Sequence, residues 1–373
     1  MLKLTIKVED LQNIVNIVQK YSDMSLKKRS VIGIHTEDRS VSLQNEIVQL
    51  KFIDVFQIIE NKLDVKGFSF DIKNIAKLRY PTDEAIIEFT NNTVYVTSGK
   101  LKVDIRSDFQ HQEVKERKIK AQESVTISNA ALLKAIQKVK LPYSFYRGDA
   151  NKAPIEIKAT DRGIEILASD GYSLCRFTTQ GESSPEFQIV IPRIILSSFL
   201  NKYLEKEGST TIEVQEMAIK IRSGNMLLVS AQLTDSVDDF QQTLDEHGNS
   251  WAFSGVLEKK ELTTAIKSIS GSTNDKKAVT HIQIKVRGES QELDLGYTNS
   301  KTGGITFNGI KFNQLSMSEQ TPHFIFNVHT KSFEEFTQLL NDTFNICCSK
   351  KAVYYGENHE TGTVEYLYPT MTV

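Results

Sequence analysis

The sequence predicts an α+β chain of three tandem units, each a β-sheet with two helices on one face. Three observations carry this. An apolar stripe at helical spacing recurs as Leu11-Val15-Val18, Leu132-Ile136-Val139 and Leu262-Ile266-Ile269. Each stripe follows a short strand-like segment: Leu4-Thr5-Ile6, Val125-Thr126-Ile127 and Phe253-Ser254-Gly255. A second strand comes later in each unit, at Phe68-Ser69-Phe70, Ile189-Val190-Ile191 and Phe324-Ile325-Phe326, and the span from first leucine to last apolar residue is 59, 59 and 64 residues. An interval kept that closely marks an internal repeat, so the helices of all three units should share one role.

Taken in order, the first unit covers residues 1–121 and closes in the charged stretch His111-Gln112-Glu113-Val114-Lys115-Glu116-Arg117-Lys118, which reads as an exposed linker. Its hairpin, Ile87-Glu88-Phe89 with Val94-Tyr95-Val96-Thr97-Ser98-Gly99, turns at Asn91-Asn92. The second unit, 122–248, repeats that hairpin without a gap at an offset of 125, as Ile212-Glu213-Val214 with Ile219-Lys220-Ile221-Arg222-Ser223-Gly224. It ends at a turn-rich joint around Asp245-Glu246-His247-Gly248-Asn249, and the third unit fills 249–373. Ser128 and Asn129 are candidate N-caps, Pro192 suits a first helical turn, and Asp71 and Asn327 can accept the free N–H groups of helices that begin there.

With 373 residues the chain has room for two or three domains, and three of ~120 residues fit the repeat. Basic and acidic residues balance at 45 and 47, so no global field announces a nucleic-acid partner, while a local basic lining stays open. Cys175, Cys347 and Cys348 have no disulfide or metal spacing and suit a reducing compartment; the adjacent pair reads as one buried and one partly exposed strand residue. No apolar run reaches membrane-spanning length and Met1-Leu2-Lys3-Leu4-Thr5 is strand-like, which points to the cytoplasm. An enzyme reading finds no Gly-x-Ser-x-Gly elbow, no phosphate loop (Ser98-Gly99-Lys100 lacks the upstream glycine) and no paired-histidine metal motif. Asp170-Gly171 reads as a tight turn between strands. No cofactor or metal is called for.

The segment Gly163-Ile164-Glu165-Ile166-Leu167-Ala168-Ser169-Asp170-Gly171-Tyr172-Ser173-Leu174-Cys175-Arg176 resembles the middle domain of the bacterial sliding clamp, the beta subunit of DNA polymerase III, where Thr-Asp-Gly-His-Arg-Leu-Ala is usual. Ile189-Val190-Ile191-Pro192-Arg193 is similar to that family's Val-Ile-Val-Pro-Arg. Leu228-Val229-Ser230-Ala231-Gln232-Leu233-Thr234-Asp235 with Asp239-Phe240, and the C-terminal Tyr366-Leu367-Tyr368-Pro369-Thr370-Met371, are similar to two further family segments. The resemblance covers the whole chain and is strongest in the second unit. It implies three tandem clamp domains whose helices line the central hole of a ring, closed head to tail by two copies. It implies a processivity factor, not an enzyme, that encircles double-stranded DNA without sequence preference and holds a polymerase and a clamp loader through short peptides. The competing reading is a repeat scaffold that binds peptides without encircling DNA.

On the resemblance, DNA would meet Lys27, Lys28 and Arg29 and the loop Tyr143-Ser144-Phe145-Tyr146-Arg147 with Lys152. Helical bases would add to these: Lys73, Lys77 and Arg79 on a helix over 71–79, Lys134 and Lys138 on a helix over 128–140, and Arg193 and Lys202 on the next. Any one such lysine also reads as part of a solvated helix face. The peptide pocket, between the middle and C-terminal domains, would be walled by Ser169, Gly171, Tyr172, Leu174, Asp238, Gln242 and Thr243 and closed by Tyr366, Leu367, Tyr368, Pro369 and Met371. The competing reading makes Tyr172, Leu174 and Tyr368 core strand residues. The subunit contact would use Val103 and Ile105 against Ile269 and Ser270. Tyr172-Ser173 replaces His-Arg, Asp238 stands where proline is common and Gln242 where arginine is common. These departures mark a divergent member, of the kind a phage or other mobile element could carry, with an altered peptide preference.

Overall fold

In the computed structural model the described residues are 1–24, 31–44, 48–62, 67–71, 75, 78–90, 93–106, 123–139, 153–171, 173–196, 204, 206–215, 218–231, 233, 237–248, 251–272, 279–287, 290–299, 303–317, 323–349 and 351–370. Strands dominate them, with five helices: Val8–Met24, Asn129–Lys138, Phe240–Gly248, Lys259–Gly271 and Thr330–Leu339. No described helix is long and apolar enough to cross a membrane.

Period-two alternation makes the first strand, Leu2–Lys7, bury Leu2, Leu4 and Ile6 while Lys3 and Thr5 stay half-exposed. The period then shifts to 3.6, and the helix Val8–Met24 turns Leu11, Ile14, Val15 and Ile17 into the core. The same switch recurs twice. Leu132 and Ile136 are buried on the helix Asn129–Lys138 with Val139 just beyond its end, and Leu262, Ile266 and Ile269 are buried on Lys259–Gly271.

The repeat is written into strand pairing. The opening strand of each unit pairs antiparallel with the first strand of its later hairpin, as Leu4 with Ile87, Val125 with Ile212 and Gly255 with Ile346. The hairpins of the first two units share one register: Ile87 faces Val96 and, 125 residues on, Ile212 faces Ile221. The second strand of each unit also finds an equivalent partner, with Ile32 opposite Phe70, Ile155 opposite Ile191 and Ile282 opposite Phe326.

Contacts divide the chain into two compact units. The first comprises Met1–Asn129, Glu182–Ser184 and Ser197–Gln232. It contains a five-stranded antiparallel sheet in the order Phe56–Asn61, Leu2–Lys7, Glu84–Phe89, Thr93–Ser98, Leu101–Arg106. Its nine-stranded sheet joins two repeats where Met226–Ala231 pairs with Val48–Phe52. The second unit comprises Ala130–Gly181, Pro185–Leu196 and Leu233–Val373. It holds a four-stranded sheet and a nine-stranded sheet in which Leu174–Thr179 pairs with Gly362–Pro369. Within each unit one sheet therefore runs unbroken from one repeat into the next, and backbone ladders join segments far apart in sequence.

One expected helix and one expected cap differ. Asp71 ends the strand Gly67–Asp71, and residues 78–80 are not helical, so a helix over the whole of 71–79 does not form. Asn327 lies inside the strand His323–His329, and the cap of Thr330–Leu339 is His329, whose ring accepts from the Ser332 backbone N–H. Pro192 is the last residue of its strand, with helical turns beginning at 193. Asn129 opens its helix tied down on both sides: it accepts from the Thr210 hydroxyl at 2.8 Å and donates to the Glu207 carbonyl at 2.9 Å. Cys348 is buried and Cys347 half-buried on one strand, as the adjacent pair suggests.

Candidate functional site

The second unit contains a cleft of about 300 Å³ lined by residues from three separate stretches of the chain. The first stretch is the turn after the strand Gly163–Ser169. Asp170 is buried and accepts from the Ser173 backbone N–H at 2.6 Å and the Ser173 hydroxyl at 3.1 Å, which folds the chain back at once. Gly171 completes the turn at φ +80°, a backbone conformation glycine adopts without steric cost, and donates its N–H to the Ser169 hydroxyl. The turn delivers Leu174 to the start of the next strand, opposite Leu367.

The second stretch is the helix Phe240–Gly248 and the residues before it. Asp239 caps this helix by accepting from the Gln242 backbone N–H at 2.9 Å, and that bond holds its carboxyl below the usual carboxylate range. Phe240 anchors the helix in the cluster of Leu167, Leu174, Val237, Ala352 and Leu367. Its ring lies under the buried Arg176 guanidinium, 4.5 Å from the centroid. Arg176 also reaches Glu365 at 2.7 Å and Glu165 at 3.7 Å, and shares the Gln241 side-chain oxygen with Arg162. The helix is thus clamped to the sheet on its inner side, which leaves Asp238, Asp239, Gln242 and Glu246 exposed around the cleft.

The third stretch is the hairpin of Ala352–His359 and Gly362–Pro369, where Ala352 faces Pro369. Side chains alternate here: Leu367 and Pro369 line the cleft, while Tyr366 and Tyr368 point the opposite way. Both tyrosines are fully buried. Tyr366 packs on Phe336 at 6.1 Å and donates its hydroxyl to the Lys138 carbonyl, and Tyr368 packs between Phe333 and Phe336 at 5.6 and 5.4 Å. Neither can close the pocket; they are core residues because the strand period sends only every second side chain to the cleft.

Of the residues expected around this pocket, Ser169, Gly171, Leu174, Asp238, Gln242, Thr243, Leu367 and Pro369 come together, and Tyr172 and Met371 lie outside the described residues. Asp239, Glu246 and Ala352 complete the lining. The first two were legible: Asp239 sits three residues before Gln242 as its cap, and Glu246 one helical turn after it.

The basic residues divide differently. Lys27, Lys28, Arg29, Lys73, Lys77, Arg147, Lys152 and Lys202 lie outside the described residues. Arg79 is exposed, and Lys134 and Arg193 are half-buried. Lys138 is already engaged: its ammonium pairs with Glu357 at 3.1 Å and reaches Asn341 at 3.4 Å, with only 16% of the side chain exposed. Glu357 also accepts from the Tyr355 hydroxyl at 2.6 Å and lies 2.6 Å from the His359 ring nitrogen. Burial opposes the charge of Glu357, yet these hydrogen bonds and the lysine hold its carboxyl below the usual range. Burial also lowers the His359 pKa, with Lys134 and Lys138 adding to it against the pull of Glu357.

Of the residues expected at a subunit contact, Ile105 and Ile269 are buried in their own sheet and helix, so their side chains are not surface groups. Val103 and Ser270 are half-exposed, and Val103 lies on Leu101–Arg106, an edge strand of the five-stranded sheet.

No protein-family model and no curated protein matches the chain. Solved structures do. The DNA polymerase sliding clamp of Bacillus subtilis is 15% identical with a TM-score of 0.79, the match covering 100% of this chain and 99% of that one. The beta subunit of DNA polymerase III from Thermotoga maritima is 12% identical with a TM-score of 0.80, covering 100% of both chains. The Helicobacter pylori beta clamp bound to a DNA ligase peptide is 15% identical with a TM-score of 0.76, again over 100% of both. At full length and low identity, the chain has the fold of the DNA polymerase III beta subunit sliding clamps.

Proposed function

We propose that this protein is a DNA sliding clamp, a non-catalytic processivity factor that encircles duplex DNA and tethers partner proteins by short peptides. The observation that carries the reading is the end-to-end match to clamp structures. The cleft adds to it: Leu174, Ala352, Leu367 and Pro369 offer apolar contact beside polar groups, the composition that suits an apolar peptide anchor. The Helicobacter pylori clamp bound to a DNA ligase peptide supplies the precedent for a peptide occupant.

In this reading the three repeats, 1–121, 122–248 and 249–373, act as three domains, and two copies close head to tail. The edge strand Leu101–Arg106 pairs its open backbone groups with the second copy, which removes an exposed edge, and Val103 and Ser270 lie at the contact. Duplex DNA passes through the ring. Lys27, Lys28, Arg29, Lys73, Lys77, Arg79, Lys134, Arg147, Lys152, Arg193 and Lys202 attract its phosphates without reading sequence, which suits a protein that slides. DNA polymerase and clamp loader are the partners at the cleft.

The test is topological. Protein loaded on nicked circular DNA should stay bound through gel filtration and be released when the circle is cut once. Equal retention on circular and linear DNA would replace the clamp with a peptide-binding scaffold. Light scattering should give the mass of a dimer; a stable monomer would count against a closed ring.

A further inference from the structure

The cleft has a one-sided charge. Asp238, Asp239 and Glu246 line it, and no lysine or arginine does among the described residues. Asp238 accepts from the Ser169 hydroxyl at 3.4 Å and Glu246 from the Gln242 side chain at 3.0 Å, and among the described residues neither carboxylate forms an ion pair. Lys158 and Arg176 attract Asp239 at longer range, while their own ion pairs are with other carboxylates: Lys158 lies 3.8 Å from Glu165, and Arg176 is buried against Glu365. The floor beneath the carboxylates is apolar, made of Leu174, Ala352, Leu367 and Pro369.

We propose that this cleft selects peptides that carry lysine or arginine beside their apolar anchors and rejects acidic ones. The proposal rests on the peptide-pocket reading above and adds the charge of the occupant. The apolar floor buries an aliphatic or aromatic side chain, whichever peptide brings it. Discrimination then falls to the rim, where a basic side chain meets the exposed carboxylates of Asp238 and Glu246 and an acidic one meets like charge. Because Asp238 and Glu246 are exposed, the preference should weaken with salt. Gln242 occupies the rim between them as a neutral hydrogen-bonding side chain, so it cannot offset their charge.

Three synthetic peptides with the same leucine and phenylalanine anchors, flanked on both sides by lysine, glutamine or aspartate, test this by fluorescence anisotropy with the full-length protein. The lysine peptide should bind roughly tenfold more tightly than the aspartate peptide at low salt, and the gap should narrow at about 0.5 M salt. In the Asp238→Asn, Glu246→Gln double variant the ratio between those two peptides should collapse towards one. Equal affinities in the unmodified protein, or tighter binding of the aspartate peptide, overturn the charge preference and leave the pocket standing. So does a lysine preference that persists in the double variant. Failure of all three peptides to bind overturns the pocket reading itself, and this proposal with it.

Discussion

The Arg176 guanidinium lies 4.5 Å from the centre of the Phe240 ring while its Nε donates to Glu365 at 2.7 Å. One side chain therefore ties the helix that roofs the cleft to the strand that forms its floor. With 3% of its side chain exposed, Arg176 is a buried charge, and it is stable there because Glu365, Glu165, Gln241 and an aromatic face all meet it.

Arg176→Met should therefore cost about 3 kcal/mol, because it leaves Glu365 without its cation in a dry setting and Glu165 with Lys158 alone. Arg176→Lys, which keeps the charge and loses the planar fork, should cost less. Urea denaturation of the two variants checks the order. Peptide affinity at the cleft should fall in the same order, since Gln241 and Phe240 hold the helix Phe240–Gly248 in place. Equal stability of the methionine variant and the unmodified protein would show that Arg176 is dispensable.

Two glycines of the same unit should respond differently to alanine. At Gly171, φ is +80° and an added Cβ meets nothing within 4 Å, so only backbone strain opposes the change, about 1 kcal/mol. At Gly362 the added Cβ would come within 2.2 Å of the Thr178 carbonyl oxygen across the Leu174–Thr179 and Gly362–Pro369 ladder, at φ +155°. Gly362→Ala should cost about 2–4 kcal/mol, strain and clash together. Thermal or urea melts of the two variants give the contrast, and equal losses would contradict it.

Much of this was legible in the sequence, for identifiable reasons. The hairpin offset of 125 residues predicts the shared register of Ile87–Val96 and Ile212–Ile221 because pattern and pairing have the same period. Ser169-Asp170-Gly171 predicts a turn because Asp170 and Gly171 satisfy local backbone demands. Arg176 was silent, because its partner Glu365 is 189 residues away and no local pattern announces the pair. The facing of Leu367 against Tyr366 and Tyr368 was within reach of alternation alone; grouping the whole segment as pocket ignored it. Lys138 carried the same charge as its helical neighbours, and only the fold brings Glu357 to it. The cap at Asn327 failed because its strand runs on through that residue to His329.

Acid should loosen the second unit in two stages. His359 has its pKa lowered, chiefly by burial, so the unfolded chain binds the proton first, and stability falls as pH drops below the unperturbed 6.5 towards the lower folded value. Glu357 is also lowered, so its contribution is complete above 4.5 and is lost as pH falls through its depressed value. Both have the same sign: stability rises with pH. The urea midpoint should drop between about pH 7.5 and 5.5 in the unmodified protein and less so in His359→Gln. An unchanged midpoint over that range would remove His359 as the source.

Lys138 and the Lys27-Lys28-Arg29 run should separate structural from DNA-facing charge. Lys138→Ala leaves Glu357 in a nearly closed site without its ammonium, so the expected loss is stability, about 1–3 kcal/mol, with little change in the salt dependence of DNA binding. Replacing Lys27, Lys28 and Arg29 by alanine should do the reverse. If each neutralises one phosphate, the slope of log affinity against log salt should flatten by about 3, with the melting midpoint and dimer mass unchanged. Filter binding across a salt series, run beside light scattering, measures both. If Lys138→Ala flattens the slope while the triple variant does not, the helix rather than the 27–29 run faces DNA.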